Sequence, residues 1–434
     1  MLKDFEKHIA SKFPFLDGRK LLIAVSGGID SVALVYLCHF LGLDITLAHC
    51  NFKLRKGDAD ADAVFVKELA NKLDKKFATI TFDTEHYAEE HKLSIQMAAR
   101  KLRYDWFESL RKENAFDYVL TAHHLDDTIE TFLINFIRGT GLRGLTGIPE
   151  INGNIVRPLL AFSRKQIEDF VSENHIEWRE DQSNASTKYT RNKIRHELLP
   201  VIRELNSELD HTFTEMIYHL KESQILIDEA VQLFSDKYIS NEKDVTKIEI
   251  APLKTIKASK AYLYELLKEY GFTEWNDVKG LLEAQSGKQI LSKTHRLIKD
   301  RNHLILECLT RSVKETEVYI DNEEQTLESP VYLKLEAVEE FGEFNNKTIY
   351  VDKSLLKFPL ILRKWEKGDY FYPLGMKGKK KLSKFFKDEK LSLVEKEAQW
   401  LLCSEDKILW VLGRRADNRF RITKKTNNIL RITC

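Results

Sequence analysis

Hydrophobic and polar positions along the first 200 residues predict strands that alternate with helices. The apolar run 21–25 ends at a Gly pair and predicts a buried strand, and the run from Ser31 to Cys38 predicts a helix directly after it. Further strands are predicted at 44–49, 79–82 and 118–122, with helices at 59–73 and 95–112. This alternation is typical of the doubly wound α/β fold, a parallel sheet with helices on both faces.

The rest of the chain changes pattern twice. Apolar positions at helical spacing predict one long helix from about 206 to 234, and the region up to 330 mixes short strands and helices. The last hundred residues alternate like strands and contain glycine turns. We therefore predict a catalytic α/β domain at 1–205, a connecting helix at 206–235, a mixed helical middle domain at 236–330 and a small strand-rich domain at 331–434.

Charge is distributed unevenly, although the 434-residue chain carries a net charge of only +1. Residues 361–434 contain 19 Lys and Arg against 9 Asp and Glu, a net charge of +10, so the rest of the chain sums to −9. A basic C-terminal region of this kind favours contact with nucleic acid. Its densest part contains Lys379, Lys380, Lys381 and Lys384, and the alternative interpretation is a solvated lysine turn.

Cysteine usage and hydropathy exclude several classes of protein. The five cysteines are widely spaced, odd in number and without a C-x-x-C pair, which argues against a disulfide framework, a zinc ribbon or an iron–sulfur cluster. No stretch approaches the roughly 18 apolar residues of a membrane span. We expect a protein of the reducing cytoplasm with no membrane partner.

The turn after the first strand is a candidate phosphate site. Gly27 and Gly28 lack Cβ atoms, so their backbone N–H groups can approach an anion at the positive end of the next helix. The hydroxyl groups of Ser26 and Ser31 can donate to phosphate oxygens, and Asp30 fits an anion site if Mg²⁺ lies between the two. The alternative is a simple tight turn. No Lys follows, so the loop is not the G-x-x-x-x-G-K-[ST] type.

Acidic residues follow the fourth predicted strand. Asp126 and Asp127 each lie about one helical turn before Glu130, so two or three carboxylates can share one face of a helix that follows His123 and His124. Such a face can hold an ammonium group, bind Mg²⁺ or accept a proton, and the histidines can stack on or bond to a base. Complementing the helix dipole is the simpler alternative for the acids.

Arginines recur through the same region and suit phosphate groups of a nucleotide or of RNA. Arg100 and Arg103 are three residues apart and share a helical face, and the later members are Arg157, Arg191 and Arg195.

The ordered motifs resemble one family. Ser26, Gly27, Gly28, Ile29, Asp30 and Ser31 form an SGGxDS loop, which resembles that of the ATP pyrophosphatase, or PP-loop, group. Six further stretches narrow the resemblance to tRNA(Ile)-lysidine synthetases: ARKLRY at 99–104, AHHLDDTIET at 122–131, RGTGLRGL at 138–145, RPLL at 157–160, DQSN ending at Asn184, and RNKIR at 191–195.

This resemblance implies a two-step reaction with ATP and Mg²⁺. ATP adenylates O2 of the wobble cytidine in tRNA(Ile) with a CAU anticodon, and free L-lysine then attacks C2 and expels AMP. It implies an ATP loop at 26–31, with Asp30 and Asp127 as candidate Mg²⁺ ligands, and catalysis or lysine binding by the residues at 123–130. It also implies phosphate or substrate binding by Arg100, Arg103, Arg157, Asn184, Arg191 and Arg195, tRNA binding by the last two domains, and a possible homodimer.

Two positions depart from the family pattern, and two other functions stay open. Phe52 stands where the family usually has a histidine, and Gln96 where a Glu is common, so a catalytic role of that histidine does not transfer. Phe52 can still stack on a base. The alternatives are a tRNA thiolase of the same group, which needs reactive cysteines, and a nucleotide-responsive RNA-binding protein without catalysis.

Overall fold

The computed structural model describes residues 1–54, 58–179, 190–242, 245–309, 317–322, 324–342 and 345–434. The chain divides into two compact units, Met1–Asp228 and Glu229–Cys434. Within the described ranges, every helix is too short or too polar to cross a membrane.

The first unit is built on a six-stranded sheet. Its strands are β1 Lys20–Ala24, β2 Asp44–Asn51, β3 Lys76–Thr81, β4 Tyr118–Leu120, β5 Ile151–Asn152 and β6 Ile155–Val156. The spatial order is β3-β2-β1-β4-β6-β5, and only β5 runs antiparallel to its neighbour. The predicted parallel sheet is confirmed, with an added antiparallel edge.

Helices cover both faces of this sheet. The helices up to residue 238 are α1 Leu2–Lys12, α2 Ile29–Phe40, α3 Asp58–Lys72, α4 Thr84–Glu90, α5 Ile95–Glu113, α6 Leu125–Arg138, α7 Leu142–Leu145, α8 Arg164–Glu173, α9 Thr190–Lys193, α10 Leu199–Leu205 and α11 Leu209–Tyr238, of which α11 extends into the second unit. A π-helix, Ile194–Leu198, joins α9 to α10. Leu21 and Ile23 of β1 belong to one apolar cluster, whereas Leu22 belongs to a second one that includes Phe107 of α5. Because neighbouring residues of a strand point to opposite faces, both sides of β1 are buried.

The order of the strands fixes where a ligand binds. From β1 the chain proceeds through β2 to β3 on one side, and β4 lies on the other side of β1. At such a reversal the loops after the two central strands diverge and leave a crevice at their carboxyl ends. The loop at 26–31 follows β1 and His123 follows β4, so both predicted sites lie at this crevice.

The second unit contains one hydrophobic core in its middle part and two in its C-terminal part. The middle part is a five-stranded antiparallel sheet packed by three helices: β7 Ile239–Glu242, β8 Val245–Glu249, β9 Gln289–Leu291, β10 His295–Asp300 and β11 His303–Cys308, with α12 Ile250–Thr255, α13 Ser259–Leu267 and α14 Trp275–Gly280. This agrees with the mixed middle region predicted from the sequence.

The C-terminal part is strand-rich, as predicted. Its strands are β12 Glu317–Ile320, β13 Gln325–Leu327, β14 Leu333–Val338, β15 Thr348–Asp352, β16 Leu360–Lys364, β17 Tyr370–Phe371, β18 Lys380–Lys381, β19 Trp400–Ser404, β20 Lys407–Val411, β21 Arg415–Ala416 and β22 Ile429–Thr433. Five of them form the sheet β12-β16-β19-β20-β21, four form β13-β14-β22-β15, and β17 pairs with β18. Residues of both larger sheets meet around the fully buried Trp410. Helices α15 Leu382–Asp388 and α16 Leu393–Ala398 complete this part.

Candidate active site

The loop between β1 and α2 is closed by its own serines. Gly27 has a φ of +95°, a backbone conformation that favours glycine. The Ser31 hydroxyl donates to the Gly28 carbonyl at 2.9 Å and accepts from the Ser26 N–H at 3.2 Å. Ser26 Oγ accepts from the Gly28 N–H at 3.3 Å and is exposed. The serines thus fix the shape of the turn at the N-terminus of α2, where the dipole favours an anion.

Asp30, in the first turn of α2, faces the crevice as an ion-pair partner. Arg164 Nη1 lies 2.7 Å from both carboxylate oxygens of Asp30, and its Nε lies 2.7 Å from Glu168. The Arg164 backbone N–H also donates to Asp126 Oδ1 at 3.0 Å. Arg164 therefore connects the loop after β1 to the acids after β4. The sequence did not predict this role for Arg164.

The acids at the start of α6 come together as predicted and are all paired with arginines. Asp127 Oδ2 accepts the His124 backbone N–H at 3.0 Å, so it also caps the helix, as the simpler interpretation holds. Asp126 Oδ2 lies 2.9 Å from Arg203 Nη2. The side chains of Asp126 and Asp127 are 8% and 12% exposed, whereas that of Glu130 is fully buried.

Arg191 and Arg195 cover these acids. Arg191 Nε lies 2.6 Å from Glu130 Oε2, and its Nη2 lies 2.7 Å from Asp127 Oδ1. Arg195 Nε lies 2.5 Å from Glu130 Oε1, and its Nη2 lies 3.3 Å from Asp127 Oδ1. Burial alone would raise the pKa of Asp127, but the charges of His124 and Arg191 outweigh it, and the pKa lies below its usual value. Asp127 is therefore an anion at neutral pH.

His123 lies at the crevice as a neutral base. Its Nδ1 and Thr121 Oγ1 are 3.0 Å apart. Burial, together with the charges of Arg157, Arg191 and Arg100, lowers its pKa to about 4 against the opposing effect of Asp127. A neutral imidazole can accept a hydrogen bond from an amine or from a base edge at physiological pH.

The other predicted phosphate ligands are dispersed. Arg157 is buried, its Nη1 donates to the Pro149 carbonyl at 2.8 Å, and its Nε has no hydrogen-bond partner among the residues that the structure describes. Arg100 lies over the Tyr104 ring and Arg103 over the Phe52 ring, at 4.9 and 5.1 Å from the ring centroids. Asn184 falls outside the described residues.

Phe52 forms part of an aromatic stack. Its ring lies 5.7 Å from the ring of Phe82, and the two are nearly parallel at 23°. The two residues follow β2 and β3, at the same edge of the sheet as the loop at 26–31. Phe52 thus contacts both the Phe82 ring and the Arg103 guanidinium, and a nucleobase that stacked on Phe52 would join this cluster.

Two carboxylates of the crevice are candidate ligands for Mg²⁺. Within the described part of the chain, no group of three or more His, Cys, Asp or Glu residues is arranged for a metal ion. Asp30 Oδ1 and Asp127 Oδ2, however, lie 3.7 and 3.6 Å from the same atom, His124 Nε2. Mg²⁺ in phosphate-transfer sites is often held by only one or two carboxylates together with the phosphates. These oxygens suit that role if Arg164 gives up Asp30.

The basic segment near the C-terminus lines a groove of about 610 Å³, together with Tyr370, Met376 and Asp388. Lys379 Nζ lies 5.1 Å from the Tyr370 ring centroid. Lys380 differs from its neighbours, because its Nζ is paired with Asp388 at 2.8 Å and its side chain is only 18% exposed. Lys381 and Lys384 also line the groove.

The parallel sheet, the SGGxDS loop after its central strand and the acids after β4 define the class of PP-loop ATP pyrophosphatases. Residues 1–202 match the family model described as PP-loop domain. Residues 241–309 match the TilS substrate binding domain, and residues 360–434 match the TilS substrate C-terminal domain.

Relatives that match over nearly the whole chain identify the family. A tRNA(Ile)-lysidine synthase of Parabacteroides distasonis is 44% identical over 421 residues, which cover 95% of each chain. One of Bacteroides thetaiotaomicron is 38% identical over 98% of this chain and 97% of its own, and one of Clostridium tetani is 31% identical over 96% and 94%. The chain belongs to the tRNA(Ile)-lysidine synthase family, and the resemblance seen in its motifs is confirmed.

Proposed function

We propose that this chain ligates free L-lysine to C2 of the wobble cytidine, position 34, of tRNA(Ile) with a CAU anticodon, and that it forms lysidine, AMP and pyrophosphate. The observation that carries the proposal is the arrangement at the crevice, where Arg164 bridges Asp30 of the phosphate loop and Asp126 of the acid cluster. A phosphate site and a carboxylate site thus share one wall, as a reaction that joins an adenylated base to an amine requires.

In the first step, ATP binds with its phosphates at the loop 26–31, and cytidine O2 attacks the α-phosphate so that pyrophosphate leaves. The exposed Ser26 hydroxyl and the N-terminus of α2 bind phosphate oxygens, and the guanidinium groups at the crevice stabilise the charge that develops. Asp30 and Asp127 would hold Mg²⁺, which, when bound, neutralises phosphate charge and favours departure of pyrophosphate.

In the second step, the lysine ε-amine attacks C2 of the adenylated cytidine and AMP leaves. The ammonium form of lysine has no free electron pair, so the amine must lose a proton before or during attack. Asp127 is the most exposed of the three α6 acids and is anionic, so it attracts the ammonium group to the crevice. The proton passes to solvent, and His123, which is neutral at physiological pH, can accept a hydrogen bond from the amine.

The basic C-terminal domain and the middle domain bind the tRNA in this proposal. The groove lined by Lys379, Lys381 and Lys384 supplies cationic side chains for the RNA backbone. A cytoplasmic location and a homodimer belong to the same proposal, and light scattering after gel filtration measures the oligomeric state.

The thiol groups disfavour a thiolase. Burial raises the pKa of Cys38 and Cys50 to about 12 and that of Cys403 to about 11. A sulfur carrier needs a thiolate near neutral pH, which these groups do not supply.

Mass spectrometry of the tRNA after incubation with ATP and isotope-labelled lysine tests the function. We expect the mass of position 34 to increase by that of a lysyl group, with one AMP released per lysine incorporated. A tRNA(Ile) transcript in which uridine replaces the wobble cytidine is the control. A nucleotide-responsive RNA-binding protein without catalysis would bind the tRNA and leave its mass unchanged, and that result would refute the proposal.

A further inference from the structure

Glu130 is a charged side chain that solvent does not reach. Its side chain is 0% exposed, and both of its oxygens are within 2.6 Å of an arginine Nε. Arg195 Nη2 adds a contact at 3.2 Å to Oε2. A buried carboxylate needs such partners, because the free energy that is lost when it leaves water is larger than the stabilisation from a single exposed ion pair.

These contacts leave no free position for a substrate amine at Glu130. A lysine ammonium group would have to displace both guanidinium groups, and two arginines would then lose the partner that holds them. Asp127, one helical turn earlier, is reached by the Nη2 atoms of the same arginines and retains exposed surface. An incoming amine therefore meets Asp127 before Glu130.

The same contacts fix the direction of two arginines. Arg191 and Arg195 lie four residues apart on α9 and the π-helix, so their side chains leave the backbone on one side. Glu130 binds the Nε atom of each, and the Nη ends extend toward the more exposed part of the crevice, where the two side chains are 43% and 31% exposed. An unsupported arginine side chain would sample many rotamers at this position.

We propose that Glu130 is a positioning residue: it directs the Nη groups of Arg191 and Arg195 at the α-phosphate and the leaving pyrophosphate, and does not bind lysine. The inference rests on the proposed function and deepens it, because it assigns Glu130 to the first step of the reaction only. When a phosphate group binds the Nη atoms in place of the Asp127 carboxylate, the contacts of both arginines with Glu130 stay in place.

Glu130→Gln tests this assignment, because it keeps the shape of the side chain and removes its charge. Pyrophosphate release from ATP and tRNA in the absence of lysine reports the first step alone. We expect its rate to fall about 100-fold, the effect of a small misplacement of groups that contact the reacting centre. The lysine KM of the remaining overall reaction should stay within about 2-fold of the wild-type value, since a 2-fold change lies below the loss of one charged contact.

A matched control is Glu108→Gln, which removes the carboxylate of another Glu–Arg pair in the same unit. Glu108 accepts from Arg111 Nε and Nη2 at 2.8 and 2.9 Å on the outer surface of α5. Its variant should release pyrophosphate at the wild-type rate. Normal pyrophosphate release by Glu130→Gln with a raised lysine KM would identify Glu130 as a lysine ligand and overturn the inference, and wild-type values for both would overturn it as well.

Arg191→Lys/Arg195→Lys keeps both charges and removes the Nη geometry, so it tests the inference even if Glu130→Gln does not fold. We expect the same loss in the first step with an unchanged lysine KM, and no further loss when Glu130→Gln is added. Full pyrophosphate release by the arginine variant would overturn the inference. A wild-type chain that forms neither pyrophosphate nor lysidine would refute the proposed function itself, whereas these variants are judged against an active wild type.

Discussion

Replacement of Asp30 by Ala should abolish AMP formation at little cost in stability. The side chains of Asp30 and Arg164 are 28% and 35% exposed, and an ion pair this exposed contributes about 0.2–1 kcal/mol. Arg164 also keeps its 2.7 Å contact with Glu168, so the substitution leaves no unpaired buried charge. A loss of about 1 kcal/mol lowers the Tm of a unit of this size by only about 2–4 °C.

The expected catalytic effect is much larger than the structural one. Removal of one group that stabilises transition-state charge lowers kcat by about 10²–10³-fold, and Asp30 also lies at the proposed Mg²⁺ position. AMP release measures turnover, thermal unfolding measures stability, and filter binding of tRNA provides an internal control that should stay near the wild-type value. Asp30→Asn, which keeps the size of the side chain, should behave like Asp30→Ala.

Unimpaired turnover in either Asp30 variant would remove Asp30 from the reaction and with it the argument for a metal ion at this position. A fall in Tm well above 4 °C with proportionate loss of tRNA binding would instead show that the ion pair with Arg164 is structural.

Three other predictions concern the basic groove, the neutral histidine and the acid cluster. Replacing the groove lysines Lys379, Lys381 and Lys384 by Ala should weaken tRNA binding and reduce the slope of log K against log salt by up to about 3. Lys380 is paired with Asp388, so its replacement alone should change the slope less. An unchanged slope in the triple variant would mean that these side chains are merely solvated. His123 has a pKa of about 4 in the folded chain, against an ordinary value of 6.5. Below pH 6.5 the unfolded chain therefore binds a proton at this residue that the folded chain does not bind. The free energy of unfolding should fall by up to about 3 kcal/mol as the pH is lowered from 6.5 to 4. Denaturant titrations of His123→Gln over that interval should give a flatter pH dependence, and a slope equal to the wild-type slope would contradict the assignment. Asp127→Asn should impair lysine capture, and full activity with a normal lysine KM would exclude Asp127 from the lysine site.

Local patterns in the sequence were sufficient to predict strands β1 to β4 and the position of the crevice, but not the short strands β5 and β6. The apolar run of β1, the Gly pair and the helix after it are contiguous, so their spacing alone predicts a strand, a turn and a helix. The acids at 126–130 share a face of α6 for the same reason. The short helix α4 was not predicted, because a charged seven-residue helix with only two buried residues has little apolar periodicity.

The partners of the acids could not be read from spacing. Arg191 and Arg195 lie 61 and 65 residues from Glu130, and Arg164 lies 134 residues from Asp30. Such contacts depend on how α8 and the π-helix pack at the sheet edge, which side-chain periodicity does not encode. The sequence therefore predicted an open acidic face, and the structure instead has a network in which every acid is already paired with an arginine.

The pairing of crevice acids with arginines has a thermodynamic consequence for substrate binding. The guanidinium groups of Arg191 and Arg195 have already lost part of their hydration and their rotamer freedom during folding. An incoming phosphate then exchanges one anionic partner for another and orders few new side chains. The loss of hydration and rotamer freedom thus occurs during folding, where it does not reduce the affinity for ATP. Preorganisation of this kind also stabilises the transition state, because the charge that develops there meets hydrogen-bond donors that are already in position.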